Sequence, residues 1–184
     1  IERLVSKIPM KKINPREVLQ LARGLQQVEI IKQLCSASSN EYLKRLGDAL
    51  NPCPYIAEKI FKEIVDNPPA VAAKGGMINS DISAELDDLR NISKSGKEYL
   101  VQLQQQEVER TGINSLKIGF NNVFGYYLEV TNLHKNKVPP EWMRKQTLAN
   151  AERYITPELK EYEEKITGAE EKILRIELEL YEAL

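Results

Sequence analysis

Histidine is nearly absent from this chain, which has one, His134, in 184 residues. Neither a multi-histidine metal site nor a paired histidine relay can be built from it. Cysteine is almost as scarce. Cys35 and Cys53 stand too far apart for a C-x-x-C motif, and two thiols do not complete a zinc site. Both are expected to be small core residues or idle thiols in a reducing cytosol. No glycine-rich phosphate cradle is present, because Gly75-Gly76 runs into Met77 rather than Lys followed by Ser or Thr. A G-x-S-x-G nucleophile elbow is also missing. The longest apolar runs are a few residues, far below the roughly 20 that cross a membrane. No basic stretch followed by an apolar one opens the chain, so no export signal is expected in it. The chain starts without Met in what reads as a helix, Ile1-Glu2-Arg3-Leu4, and is expected to be a piece of something longer. No catalytic site, cofactor site or metal site is expected within it.

What is present is the composition of a folded protein: 42% hydrophobic and 29% charged residues argue against wholesale disorder. The net charge of −1 hides an uneven distribution. Residues 112–156 carry six Lys and Arg against three Glu, whereas residues 81–111 carry four against seven and 157–184 four against nine. An anionic partner should therefore prefer 112–156. An excess of three is modest as a charge signal alone.

The first helix start is well marked. Asn14 is a good N-cap, Pro15 suits the first helical position, and Glu17 completes an Asn-x-x-Glu capping box. Val18, Leu21, Leu25, Val28, Ile31 and Cys35 follow at helical spacing. A loop at 36–40, a short helix to about Leu50, a break at Asn51-Pro52-Cys53-Pro54 and a helix through Ile56, Ile60, Phe61 and Ile64 come next. From Asp81 the pattern lengthens. Ile82, Leu86, Leu89, Ser93, Gly96, Leu100 and Leu103 form a heptad seam to about Arg110, small at its middle. Leu159, Tyr162, Ile166, Ala169, Ile173, Ile176 and Leu180 repeat the same spacing. Two such helices around an insert predict an antiparallel pair, each arm on the order of 40 Å long.

The insert reads as strand. Leu116 to Phe120 alternates, and Tyr126 to Thr131 is rich in strand formers, with Asn121-Asn122 suited to left-handed turn positions. A second hairpin is predicted from Arg144–Leu148 and Ala151–Ile155, with Asn150 in the turn and Ala149 a poor turn residue. Thr156 should N-cap the second arm, with Pro157 and Glu158 in its first turn. Alternation groups Tyr126 with Leu128 and Val130 as sheet core and leaves the role of Tyr127 open. The Glu-rich second arm, with a Glu161–Lys165 pair, reads as a solvated helix. The predicted fold is mainly α with a small antiparallel β insert: a helical core bundle plus a two-helix stalk capped by a sheet. Its parts are 1–80, an ascending helix 81–111, the β-rich 112–156 and a truncated descending helix 157–184.

A mildly basic sheet on two helices cannot enclose a small substrate, but it can touch an extended one. Lys117, Lys135, Lys137, Arg144, Lys145 and Arg153 lie in the sheet or its loops, and Asn121, Asn122, Asn132, Asn136 and Asn150 add neutral donors. These groups suit phosphate oxygens. No array of Arg, Asn and Gln at helical spacing is there to read base edges. His134, beside Lys135 and Lys137, reads as a solvated loop residue. The competing reading is a coiled-coil interaction or structural module without DNA contact.

Two stretches carry a resemblance. Leu116 to Thr131, L-K-I-G-F-N-N-V-F-G-Y-Y-L-E-V-T, and Arg144 to Leu159, R-K-Q-T-L-A-N-A-E-R-Y-I-T-P-E-L, resemble the bacterial DNA mismatch repair MutS family. Weaker matches at Ile1-Glu2-Arg3-Leu4, Asn14-Pro15-Arg16 and the Pro68-Pro69…Gly75-Gly76 segment keep the family's order along the chain. The resemblance implies that 1–111 and 157–184 belong to the helical core and lever, and that 112–156 is a clamp holding double-stranded DNA by its backbone. Lys117, Lys135, Lys137, Arg144, Lys145, Asn150 and Arg153 are the DNA-binding candidates. It also implies a homodimer, a MutL-type partner, and ATP with Mg in an ATPase domain outside these residues. A cytoplasmic, nucleoid-associated location goes with that assignment. Many family members have Lys-Asn where this chain has Ala149-Asn150, which implies contact that is weaker there or shifted to Arg144, Lys145 and Arg153. Phe61-Lys62-Glu63 spells the family's mismatch-probing Phe-x-Glu, but on a predicted core helix, where it is expected to be accidental.

Overall fold

Asn14 and Glu17 close the capping box their spacing predicts. The Glu17 N–H donates to Asn14 Oδ1 at 3.0 Å and the Asn14 N–H returns to Glu17 Oε2 at 3.1 Å. They start α2 (Pro15–Ser36), which follows a single turn, α1 (Glu2–Val5), and precedes α3 (Glu41–Ala49) and α4 (Pro54–Glu63). The computed structural model describes residues 1–184 and divides into two compact units, 1–86 with 173–184, and 87–172.

In the first unit, Val18, Leu19, Leu21, Ala22, Ala57, Ile60, Ile64, Met77 and Ile78 are buried. Phe61-Lys62-Glu63 lies at the end of α4, where the Asn79 amide donates to the Lys62 carbonyl at 2.8 Å. The end of α6 (Pro157–Ala183) contributes Glu177, 1% exposed, which accepts from the Gly76 and Met77 N–H groups. The Gly75-Gly76 pair thus wraps a carboxylate of its own chain. Both glycines have positive φ, at 66° and 74°, a conformation side chains resist.

The second unit holds most of α5 (Ala84–Thr111), the first part of α6, and four strands: β1 (Lys117–Asn121), β2 (Gly125–Thr131), β3 (Met143–Thr147) and β4 (Ala151–Ile155). All pair antiparallel in the order β1-β2-β4-β3. The two hairpins expected from sequence are therefore one sheet, joined through β2 and β4. Its inner face and the helices enclose Leu100, Leu103, Ile113, Leu116, Leu128, Val130, Trp142, Tyr154, Leu159 and Ile166. The small middle of the α5 seam works as its composition predicts. A Cβ on Gly96 would lie 2.5 Å from Ile166 Cγ1, so only glycine lets α6 come this near. The Thr156 hydroxyl accepts the Leu159 N–H at 3.1 Å and caps α6, and Lys165 meets Glu161 at 2.7 Å.

The turns depart from expectation. Neither Asn121 nor Asn122 adopts the left-handed region; the positive φ of the β1–β2 loop falls on Gly125, at 82°. Asn121 pairs with Gly125 across a three-residue loop, and its side chain accepts the Val123 N–H at 2.8 Å. A three-residue loop needs one left-handed residue at its end, and glycine takes that place. Asn150 also keeps negative φ, as does Ala149, although the two form a two-residue connection closed by Leu148 N–H to Ala151 O at 2.8 Å. Two-residue hairpins favour left-handed turn residues. This one is held from outside.

Candidate nucleic-acid interface

Register sorts the cationic candidates between the two faces and the loops. On the outer face, Lys117, Glu129, Arg153 and Gln146 stand opposite one another across all four strands. Arg153 is tied into that row. Its Nε donates to Glu129 Oε2 at 2.9 Å, its Nη1 to Gln146 Oε1 at 2.9 Å, and its guanidinium lies 4.3 Å from the centre of the Tyr127 ring. Tyr127, left without a role by alternation, is thereby 9% exposed. Its hydroxyl fits over Gly119, where a Cβ would come within 2.6 Å of it. Tyr126 and Phe120 meet edge to face at 4.9 Å, and Tyr126 packs on the inner core as expected. Arg153→Ala should lower stability by about 2 kcal/mol, from two charge-assisted hydrogen bonds and a ring contact. Denaturant unfolding measures this, and an unchanged midpoint would contradict the packing role.

Arg144 extends from the edge strand β3 toward Glu152, Nη1 to Oε1 3.1 Å. Glu152 is 9% exposed and also accepts a hydrogen bond from the Tyr154 hydroxyl. That bond, with Arg144 and Lys135 nearby, holds the Glu152 carboxyl below the usual carboxylate range. Burial and the same bond push the Tyr154 hydroxyl up to about 12. Lys145 is exposed at the irregularity in β3 between Arg144 and Gln146. Charged residues and a bulge are how an edge strand avoids pairing with another sheet.

The loops at the end of β2 carry the remainder. Residues 132–137 form a 3₁₀ segment bearing Lys135 and Lys137, and Lys137 Nζ donates to the Gly112 carbonyl at 3.2 Å. Ala149 and Asn150 are exposed beside it, and Asn132 donates to both of their carbonyls, from Nδ2 to Ala149 O at 2.9 Å and from N–H to Asn150 O at 3.1 Å. His134 is half-buried. Lys135, Lys137, Asn150 and, through Glu152, Arg144 therefore gather at one end of the sheet, while Lys117 and Arg153 share its outer face.

The carboxylates show which charges are uncompensated. All three in residues 112–156 are ion-paired: Glu129 with Arg153, Glu141 with Arg110 and Glu152 with Arg144. Lys117, Lys135, Lys137 and Lys145 are exposed and make no ion pair, Lys137 donating only to the neutral Gly112 carbonyl. A family model, MutS family domain IV, matches residues 81–172. The chain belongs to the MutS family. It is 58% identical over 181 residues to the DNA mismatch repair protein MutS of Bacteroides thetaiotaomicron, covering 98% of this chain and 21% of that protein. Over all 184 residues it is 57% identical to that of Parabacteroides distasonis and 54% identical to that of Porphyromonas gingivalis, again 21% of each. The chain thus spans about a fifth of the length of these MutS relatives. No helix is long and apolar enough to cross a membrane.

The roles of Asn132, Glu152 and Tyr127 lay outside the candidate set read from sequence. Asn132 was visible as one neutral donor among five, with nothing to mark its partner. Glu152 gave no signal, since strand alternation does not tell a paired buried carboxylate from a solvated one.

Proposed function

We propose that residues 112–156 form a clamp that holds the DNA backbone without regard to sequence. On this reading residues 1–111 and 157–184 are core and lever, linking the clamp to mismatch-reading and ATPase domains of a longer protein. The single observation that supports it is the charge pattern just described: every carboxylate of the clamp is ion-paired within the chain, Glu141 by Arg110 of α5, while Lys117, Lys135, Lys137 and Lys145 are exposed and in no ion pair. Cations so placed attract a phosphate ladder. Arg144 and Asn150 are the further contacts. Arg153 contributes by fixing the outer face. Dimerisation with a second copy, engagement of a MutL-type partner, and ATP with Mg in the ATPase domain complete the proposal for the whole protein, in the cytoplasm on the nucleoid.

Weak duplex binding by the 184-residue chain is expected, falling steeply with salt and equal for matched and mismatched duplexes. Lys135→Gln and Lys145→Gln should each make the log–log salt dependence shallower by about 0.9. Fluorescence anisotropy across a salt series measures both slopes. Slopes unchanged in both variants would move the contact elsewhere, and strong mismatch preference would contradict the assignment. The interaction-module reading draws on Leu34, Tyr42 and Tyr55 in the first unit, which are 68%, 74% and 75% exposed. It predicts no salt-dependent DNA binding at all.

A further inference from the structure

The Ala149–Asn150 turn combines three features. Both residues are exposed, neither has the left-handed backbone that a two-residue hairpin favours, and the neighbouring 3₁₀ segment supplies the missing constraint. That constraint is one residue, Asn132. Its main-chain N–H continues the β2–β4 ladder to Asn150 O, while its side-chain amide reaches one residue further, to Ala149 O at 2.9 Å. The ladder bond would survive any substitution except proline. The side-chain bond is particular to asparagine.

Holding the Ala149 carbonyl has a consequence for the other end of the same peptide. In a trans peptide the C=O and the following N–H point in opposite directions. With Ala149 O turned onto Asn132, the Asn150 N–H faces away from the 3₁₀ segment, at a position that is open to solvent. A carbonyl at that place would repel an anion; a fixed N–H attracts one at no cost of reorganisation. Main-chain N–H groups are a large part of how proteins hold phosphate oxygens. Lys135, one turn along from Asn132, adds the positive field.

We propose that Asn132 is a positioning residue for phosphate contact, fixing the turn so that the Asn150 N–H donates to a phosphodiester oxygen. The inference rests on the clamp reading and adds to it a neutral contact at a turn that lacks a lysine.

Neutral and charged contacts separate in a salt titration, because only a neutralised phosphate releases a counterion. With the full chain and a short fluorescein-labelled duplex, Asn132→Ala should bind about tenfold more weakly, its log–log line running parallel to that of the unsubstituted chain. Lys135→Gln should bend the slope instead. Full affinity in Asn132→Ala, with Lys135→Gln still shallower, overturns the positioning role and leaves the clamp standing. Loss of salt-dependent binding from the unsubstituted chain sinks the clamp reading and this proposal together. Should Asn132→Ala not fold, Ala149→Asn with Asn150→Gly gives the second test. That pair closes the hairpin with left-handed residues and turns the central peptide over. It should melt no lower than the unsubstituted chain yet bind about tenfold more weakly than Asn150→Ala, the control for the lost side-chain amide. Affinity equal to that control overturns the proposal.

Discussion

Gly125→Val is expected to destabilise the 87–172 unit by about 4 kcal/mol, well beyond the range of a surface substitution. Two costs combine. The φ of 82° is unfavourable for any side chain and worst for a β-branched one. The Cβ would also stand 2.1 Å from both carboxylate oxygens of Glu163, so that side chain must leave. Glu163 accepts the Tyr126 N–H at 2.8 Å and Lys160 Nζ at 2.8 Å, and Lys160 in turn donates to the Phe124 carbonyl at 3.0 Å. One valine thus undoes the group of contacts by which α6 holds the β1–β2 hairpin. A double-mutant cycle separates the terms. In a Glu163→Ala background the carboxylate is already gone, and Gly125→Val should cost only the backbone strain, about 1–2 kcal/mol. Equal costs in both backgrounds, from denaturant midpoints, would show that the carboxylate has no part in it.

The helices were legible because their signals are local. The Asn14–Glu17 box and the Thr156 cap each involve residues three positions apart, and the two heptad seams mark the faces that meet. Strand positions were legible from alternation for the same reason. A single small sheet was legible too, but its strand order was not: nothing in Gly125–Thr131 or Ala151–Ile155 states that these two pair, since β2 and β4 are both flanked by plausible hairpin partners. Asparagine at a turn likewise signals tolerance of left-handed backbone, not its use. At Asn121 the glycine four residues on takes that conformation, and at Asn150 the side chain of Asn132 removes the need for it.

Charge was legible in the candidate site as a sum but not as an arrangement. Six cations against three carboxylates give an excess of three, yet four are left without an ion pair, because Glu141 takes Arg110 from outside the segment, and the sum tells neither that number nor which four they are. Pairing across the sheet decides it. Arg153 faces Glu129 because β2 and β4 are neighbours, and Arg144 reaches Glu152 from β3. The two arginines, the strongest candidates by chemistry, are therefore the ones that hold an ion pair within the protein, and the four lysines Lys117, Lys135, Lys137 and Lys145 have none. The Tyr127 ring is explained by the same pairing, as the surface beneath Arg153.

Leu128→Ala should cost about 3 kcal/mol and lower the melting temperature of the 87–172 unit by on the order of 15 °C. Leu128 is fully buried between Ile118 on β1 and Tyr154 on β4, in the cluster that the sheet shares with Leu100, Leu103, Leu159 and Ile166. The lost methyl groups leave a cavity that close packing by two helices and a sheet cannot collapse into. Amides of β2 and β4 should lose protection from exchange first. Val123→Ala, at a position 90% exposed in the loop, should shift stability by no more than about 0.5 kcal/mol. Binding separates stability from function here. Leu128 faces the helices, and Lys117, Lys135 and Lys145 do not depend on it for their charge. At temperatures where the sheet stays folded, Leu128→Ala should bind duplex DNA as the unsubstituted chain does, with the same salt slope, whereas Lys145→Gln should leave the melting temperature alone and change the slope. A Leu128→Ala protein that is folded by exchange yet has lost its salt-dependent binding would mean that the outward lysines are not the contact surface.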